Sequence, residues 1–365
     1  MKLVARTSNA SVLLLIVAAG CSPAFAQPGD PKAAQPAATP QPQSPQQSAG
    51  VVTADRFREI WAGKNKEIFE PAFLARELRE EPSWKPTEVV AAKLEAAKGD
   101  IDELIKVIDG PPADWQVNTK DEGFDAKVPH WPQLTATMRV LFADSRRLQA
   151  RAGEGDADAA VKRVLAITKL ARHFQTEKLV GAVRTARQLA ATGLLEAKRL
   201  ADAGRLTPAQ KSRLLEAAMS FDSSDPCDIR GALLNETHIT IDWTKKICVG
   251  DEAPNIFIAK FARNAKNDEI ARSGVRLMDQ ATLHRQIESV LPCYREAIDN
   301  WDSDYALQTI KAIEQQRQNG DYGGPAVILN ADLQHYRAST YRFVALIGDV
   351  IRSLGGTPKT TLPAR

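Results

Sequence analysis

The densest set of groups able to do acid–base or metal chemistry is Asn235-Glu236-Thr237-His238, followed by Asp242. On a helix, Glu236, Ile239 and Trp243 share one face with Ala232, which turns a carboxylate toward apolar surroundings. Burial raises the proton affinity of such a carboxyl and prepares it as a general acid or base. His238 and Asp242 then stand four residues apart on the neighbouring face, the spacing of a proton-transfer or metal pair and equally of an exposed ion pair. On a strand, the β-branched run Thr237 to Thr244 would scatter the same groups over two faces. Glu236, His238 and Asp242 are the catalytic candidates, each weighed against a purely structural use.

His173 with Glu177, and His284 with Glu288, repeat the four-residue spacing. Neither forms H-E-x-x-H nor brings a third ligand at a diagnostic distance, so both read as helix-surface pairs, with no metal or cofactor expected. His130, between Pro129 and Trp131, reads as a loop packing residue. The patterns G-x-S-x-G, S-x-x-K, G-x-G-x-x-G and the phosphate loop do not occur, which removes the main warrant for serine hydrolases, acyl-serine enzymes and nucleotide-binding folds. An enzyme built on scattered carboxylates stays open.

Cys227, Cys248 and Cys293 are an odd set for an oxidising compartment, where one disulfide and one free thiol are the simplest outcome. If Asp228 to Ile247 is a helix, its rise sets Cys227 and Cys248 about 30 Å apart and excludes that pair. A hairpin would permit it. None of the three has a nearby His in a nucleophile signature.

Among 365 residues, 48 Lys+Arg face 45 Asp+Glu, a net charge of +3 that argues against a dedicated nucleic-acid binder. The positive surplus is local. Between Arg139 and Lys211 fifteen Lys+Arg stand against seven Asp+Glu. Arg184, Arg187, Lys198 and Arg199 in that stretch are candidates for a basic strip facing anionic envelope polymers or lipid headgroups, the bland alternative being a solvated helix surface. Aromatics are not interleaved with them, so single-stranded nucleic acid is not the expected partner.

The first residues have the form of an export signal: Lys2 and Arg6, an apolar run of nine residues from Val12 to Gly20, then Cys21 and Ser22-Pro23-Ala24-Phe25-Ala26. Nine residues are too few for a transmembrane helix. Cleavage after Ala26 makes residues 1–26 the signal peptide; cleavage after Gly20, within the lipobox-like Val17-Ala18-Ala19-Gly20-Cys21, leaves Cys21 for lipid attachment. Residues 27–50, nearly all Pro, Gln, Ala and Ser, read as a disordered linker. The expected location is exported: periplasmic, or a membrane-anchored lipoprotein.

Beyond the linker the dominant period is helical, and the expected fold is all-α, irregular stacked helical hairpins. Thr207-Pro208-Ala209-Gln210 is a capping box with Pro at the first helical position. Val161, Val164, Leu165, Thr168 and Ala171 mark an amphipathic helix, and Leu333 to Leu354 a long one that Gly355-Gly356 stops. Further helices are expected over Thr53–Phe69, Pro71–Glu81, Thr87–Ile108, Gln133–Ala152, Glu177–Ala203, Asn267–Val290 and Asn300–Asn319. The loop Asp109–Pro132 should lay Trp115 and Trp131 over the helices as a lid or brace. Polar turn residues at Ser220–Pro226 suggest two helical subdomains, 51–225 and 226–357, with a disordered tail at 358–365. Gly155-Asp156 opens a repeat-like helix, but 34 residues on stands Leu189-Ala190-Ala191, so no regular solenoid is expected.

The export signal, the loop before Leu134, the run Ala143-Asp144-Ser145-Arg146 and the Gly155-Asp156 start of a helix reaching Leu170-Ala171-Arg172 together resemble a group of uncharacterised exported all-helical bacterial proteins of planctomycete type. The resemblance covers the middle third of the chain. It implies a helical fold and an envelope location, and no activity. The expected function is a noncatalytic envelope interaction or scaffold module, with an envelope protein or anionic envelope polymer as partner. The alternative is an envelope hydrolase or lyase using buried carboxylates such as Glu236.

Overall fold

In a computed structural model, residues 48–75, 78, 81, 83–123, 126, 128, 130–151, 154–261, 274–303, 306–319, 325, 329 and 332–360 are described. The export signal, Cys21 and most of the 27–50 linker lie outside them. The fold is all-α, with no strand among the described residues. In chain order the helices are α1 (Ala49–Trp61), α2 (Glu88–Ala96), α3 (Lys98–Asp109), α4 (Thr119–Glu122), α5 (Trp131–Arg151), α6 (Glu154–Leu170), α7 (Arg172–Gln175) and α8 (Val180–Asp202). They continue with α9 (Pro208–Met219), α10 (Ile229–Ile247), α11 (Ala253–Phe261), α12 (Gln280–Glu288), α13 (Val290–Asp299), α14 (Ala306–Asn319) and α15 (Leu333–Ser353).

The strongest sequence signals place the helices that organise the rest. The Thr207 side chain accepts from Gln210 N while the Gln210 side chain accepts from Thr207 N, so α9 begins at Pro208 with two orphan amides satisfied. The stripe from Val161 to Ala171 makes α6 the central helix, buried against α5 on one side and α8 on the other. The α6–α8 crossing is tight because position 193 is Gly: a Cβ there would sit 2.3 Å from Thr168 Oγ1 and 2.9 Å from its amide. α15 ends at Ser353 with Leu354 as its C-cap, and Gly355 follows with φ +87, the left-handed stop that glycine adopts without strain.

Several expected boundaries move. Ser48 caps α1 through Val51 N, so the helix begins inside the expected linker, at Ala49. Its last turn closes at Ala62, and Lys66–Phe69 is a separate 3₁₀ turn, so Thr53–Phe69 is not one helix. Residues 71–75 are turns rather than the start of a helix, with Leu74 buried at φ 61. Ala97 breaks Thr87–Ile108 into α2 and α3, just before Gly99, a weak helix former. Pro358–Thr360, expected in a disordered tail, are held: the amides of Lys359 and Thr360 donate to the Asp222 carboxylate at 2.6 and 3.0 Å.

Residues 47–365 form one unit. The largest core runs from Ala54 in α1 through α5, α6 and α8 to Leu354, because α15 packs back on α8 and α9. A second core gathers Ile229, Cys293, Trp301 and Leu333, and a third Cys248, Phe257 and Ile287. The expected division at Ser220–Pro226 is bridged by α15 and by Arg187, which donates to Thr340 Oγ1 at 2.8 Å.

Candidate functional site

Asp228 to Ile247 is helical, with Asp228 as N-cap and Asp225 also accepting from the first amides of α10. Glu236 therefore leans toward the core as its spacing requires, yet its partner is structural. α8 has no side-chain cap of its own, and Val180 N donates to Glu236 Oε2 at 2.7 Å. Asn235 Nδ2 donates to Lys178 O beside it, so this polar pair of α10 acts as a tertiary cap on α8. Burial raises the Glu236 carboxyl above its ordinary value, and the Val180 hydrogen bond pulls part of the way back. His238 and Asp242 stand on the exposed side of α10, and Asp242 lies near Lys245. The three candidates do not converge on one site. No group of three His, Cys, Asp or Glu side chains able to hold a metal occurs among the described residues.

The basic strip on α8 is not one face. Arg184 is exposed and bonds Tyr336; Lys198 pairs with Asp202 at 2.6 Å. Arg187 is turned inward, 6% exposed, donating to Pro226 O, Thr340 Oγ1 and Asp225. It lies four residues after Val183 and three before Ala190, both buried, so the apolar stripe of α8 already contained it. Arg199 turns toward a cleft described below. Cys227, Cys248 and Cys293 are free thiols rather than one bridge and one thiol. The helix between Cys227 and Cys248 separates them by about 30 Å. Burial pushes the Cys227 thiol up to about 12 and that of Cys248 to about 11, opposite to what a nucleophile needs.

The two His–Glu spacings do not form surface pairs either. His173 is fully buried, accepting at Nδ1 from Ala113 N (3.0 Å) and placing Nε2 3.1 Å from Ile108 O. That requires a neutral ring protonated at Nε2, and burial pushes the imidazole down to about 4. Glu177 accepts from Trp115 N, and Trp115 Nε1 donates to His173 O. Together they latch the 108–117 segment onto α7, with Trp115 buried as a brace and stacked on Trp61. Trp131 stays 38% exposed at the start of α5, its ring edge-on to Phe174. His284 Nε2 lies 2.7 Å from Cys248 O, while Glu288 pairs with Lys245. His130 accepts from Arg58 Nε and packs beside Trp61, as a loop packing residue would.

The main charged constellation is one that spacing analysis passed over. Asp144, in the middle of α5, is fully buried between Arg147 Nε at 2.8 Å and Arg163 Nε at 2.9 Å. Arg163 also reaches Asp102, and Arg147 reaches Glu95. One turn away, Glu196 of α8, 2% exposed, accepts from Arg146 Nη2 at 2.8 Å and from Arg199 at 2.7 and 3.0 Å. A buried carboxylate of this kind persists only when its charge is matched and hydrogen-bonded. Within α5 the sign of this network was an acid and two arginines, Asp144, Arg146 and Arg147, set between the apolar residues Leu141, Phe142 and Ala143 on one side and Leu148 on the other.

Next to this network, α5, α6 and the end of α8 leave a cleft of about 700 Å³. Arg146 and Arg199 lie on its floor, with Lys85 and Arg205 at exposed positions around it. Gln149 and Gln210 add amide groups, and Trp84, Leu148, Val161, Leu200 and Leu206 form apolar walls. The Arg146 guanidinium is fixed from two sides, by Glu196 and by the Phe142 ring 5.0 Å from its centre. Sequence reading reached Arg199 here and missed Arg205, six residues on, and Arg146 and Lys85, which come from segments distant along the chain. No family model, curated protein or solved structure matches this chain.

Proposed function

We propose that this chain is an exported, noncatalytic helical module of the cell envelope that works by binding. Export is read from Lys2, Arg6, the apolar run to Gly20 and the small-residue exit to Ala26; tethering, from Cys21. No helix among the described residues is long and apolar enough to cross a membrane. The observation that carries the noncatalytic reading is the use to which the buried ionisable groups are put. Glu236 caps α8, His173 holds the 108–117 segment, and Asp144 and Glu196 are each gripped by two arginines. A general acid or base must be within reach of a substrate proton, and each of these groups is engaged by the fold through at least one of its polar atoms. The cleft beside Arg146 and Arg199 offers cations and apolar walls to a partner instead.

Two measurements test this. Intact mass of the chain recovered from cell fractions should show export with a start at Gln27, or at Cys21 with a diacylglycerol-sized increment; a cytoplasmic chain keeping residues 1–26 would sink the location. Glu236→Gln keeps an oxygen to accept from Val180, so stability should change by no more than about 1 kcal/mol in urea unfolding. The same variant should alter no turnover of envelope glycan or peptide. Turnover by the parent that disappears in E236Q at unchanged stability would establish the hydrolase or lyase reading.

A further inference from the structure

We propose that the cleft between α5, α6 and the end of α8 is a binding site for a small amphiphilic anion, one carboxylate or phosphate head on an apolar body. The proposal rests on the noncatalytic reading and names what that module holds.

Charge gives the head. Lys85, Arg146, Arg199 and Arg205 line the cleft, and Glu196 neutralises one of these four positive side chains, a local surplus of three. Elsewhere nearby the cations are matched: Arg147, Arg163, Lys198 and Arg213 each have a carboxylate partner. Lys85 and Arg205 form no ion pair among the described residues, and both face the same space. Glu196 holds Arg146 and Arg199 in place, so an incoming anion meets guanidinium groups that are already oriented; planar, forked donors suit a carboxylate or phosphate.

The walls give the body. A bare inorganic anion gains nothing from Trp84, Leu148, Val161, Leu200 and Leu206, which instead reward apolar surface removed from water. A volume of about 700 Å³ lies in the range of sites for molecules of drug or cofactor size. A long polyanion would need a continuous charged row along the surface. The row on α8 is interrupted at Arg187, which is buried against Asp225.

The test is titration calorimetry on the full chain carrying Cys21→Ser, so that no detergent occupies the cleft. The probes are decanoate, decyl phosphate, inorganic phosphate as the head alone and octyl glucoside as an uncharged amphiphile. Decanoate or decyl phosphate should bind, the tighter of the two identifying the head, and both other probes at least tenfold more weakly. The double variant K85Q/R205Q changes only exposed side chains and should weaken the bound probe at least tenfold. K245Q/K246Q removes the same charge from α10 and should leave binding as in the parent. Equal loss in the two double variants, inorganic phosphate or octyl glucoside binding as well as the decyl anions, or no binding at all would overturn the site. A probe recovered chemically altered would overturn the noncatalytic reading while leaving the site standing.

Discussion

His173 holds its ring between Ala113 N and Ile108 O, an arrangement open only to the neutral imidazole. Its folded pKa of about 4 lies below the unfolded value near 6.5, so the unfolded chain binds the proton first. The stabilisation is complete above about pH 6.5 and is lost as pH falls toward 4, by on the order of 3 kcal/mol. Among the charged neighbours, Arg172 acts in the same direction, whereas Glu177, its carboxyl raised by burial, gains stability as it protonates and opposes the loss in part. His173→Phe leaves the buried Ala113 amide without a partner, while Ile108 O keeps Arg172 as a donor, and should cost about 1–3 kcal/mol at pH 7. Urea unfolding at pH 7 and pH 4.5 should show a smaller difference between the two pH values in the variant than in the parent. An equal difference in both proteins would take His173 out of the acid sensitivity.

Helix packing explains why residues that read as surface chemistry turned inward. A position on α8 is decided by α6, α10 and α15 together, and that is why Arg187 lies buried while Lys198 does not. Gly193 measures how closely α6 and α8 approach. Replacing it by Ala gains about 1 kcal/mol of helix propensity. Its new methyl would meet Thr168 at 2.3 Å, so one helix must shift. Overpacking of this kind typically costs 1–3 kcal/mol. Gly193→Ala should therefore lower the urea midpoint rather than raise it. A higher midpoint would mean that the two helices separate freely, against the packing described.

The C-terminal helix decides how the whole molecule holds together. Because α15 packs on α8 and α9 and Asp222 binds the amides of Lys359 and Thr360, residues on both sides of the 220–226 turn share a core. Unfolding followed by tryptophan fluorescence and by helical circular dichroism should give coincident single transitions; two separated steps would make that turn a domain boundary. Features that depend on near neighbours are legible in the residue order: helices from a period of three to four, the start of α9 from its capping box, the stop of α15 from Gly355. So is the inward-facing position of Glu236, because its place within one helix is local information. Which groups meet depends on how the helices pack. Glu236 caps a helix 56 residues away, His173 closes on a loop 60 residues back, and the cleft joins Lys85 to Arg146, Arg199 and Arg205. Helical periodicity fixes the direction of a side chain about its own axis, whereas its partner is set by the packing of a second axis, and that information is spread over every residue of the interface.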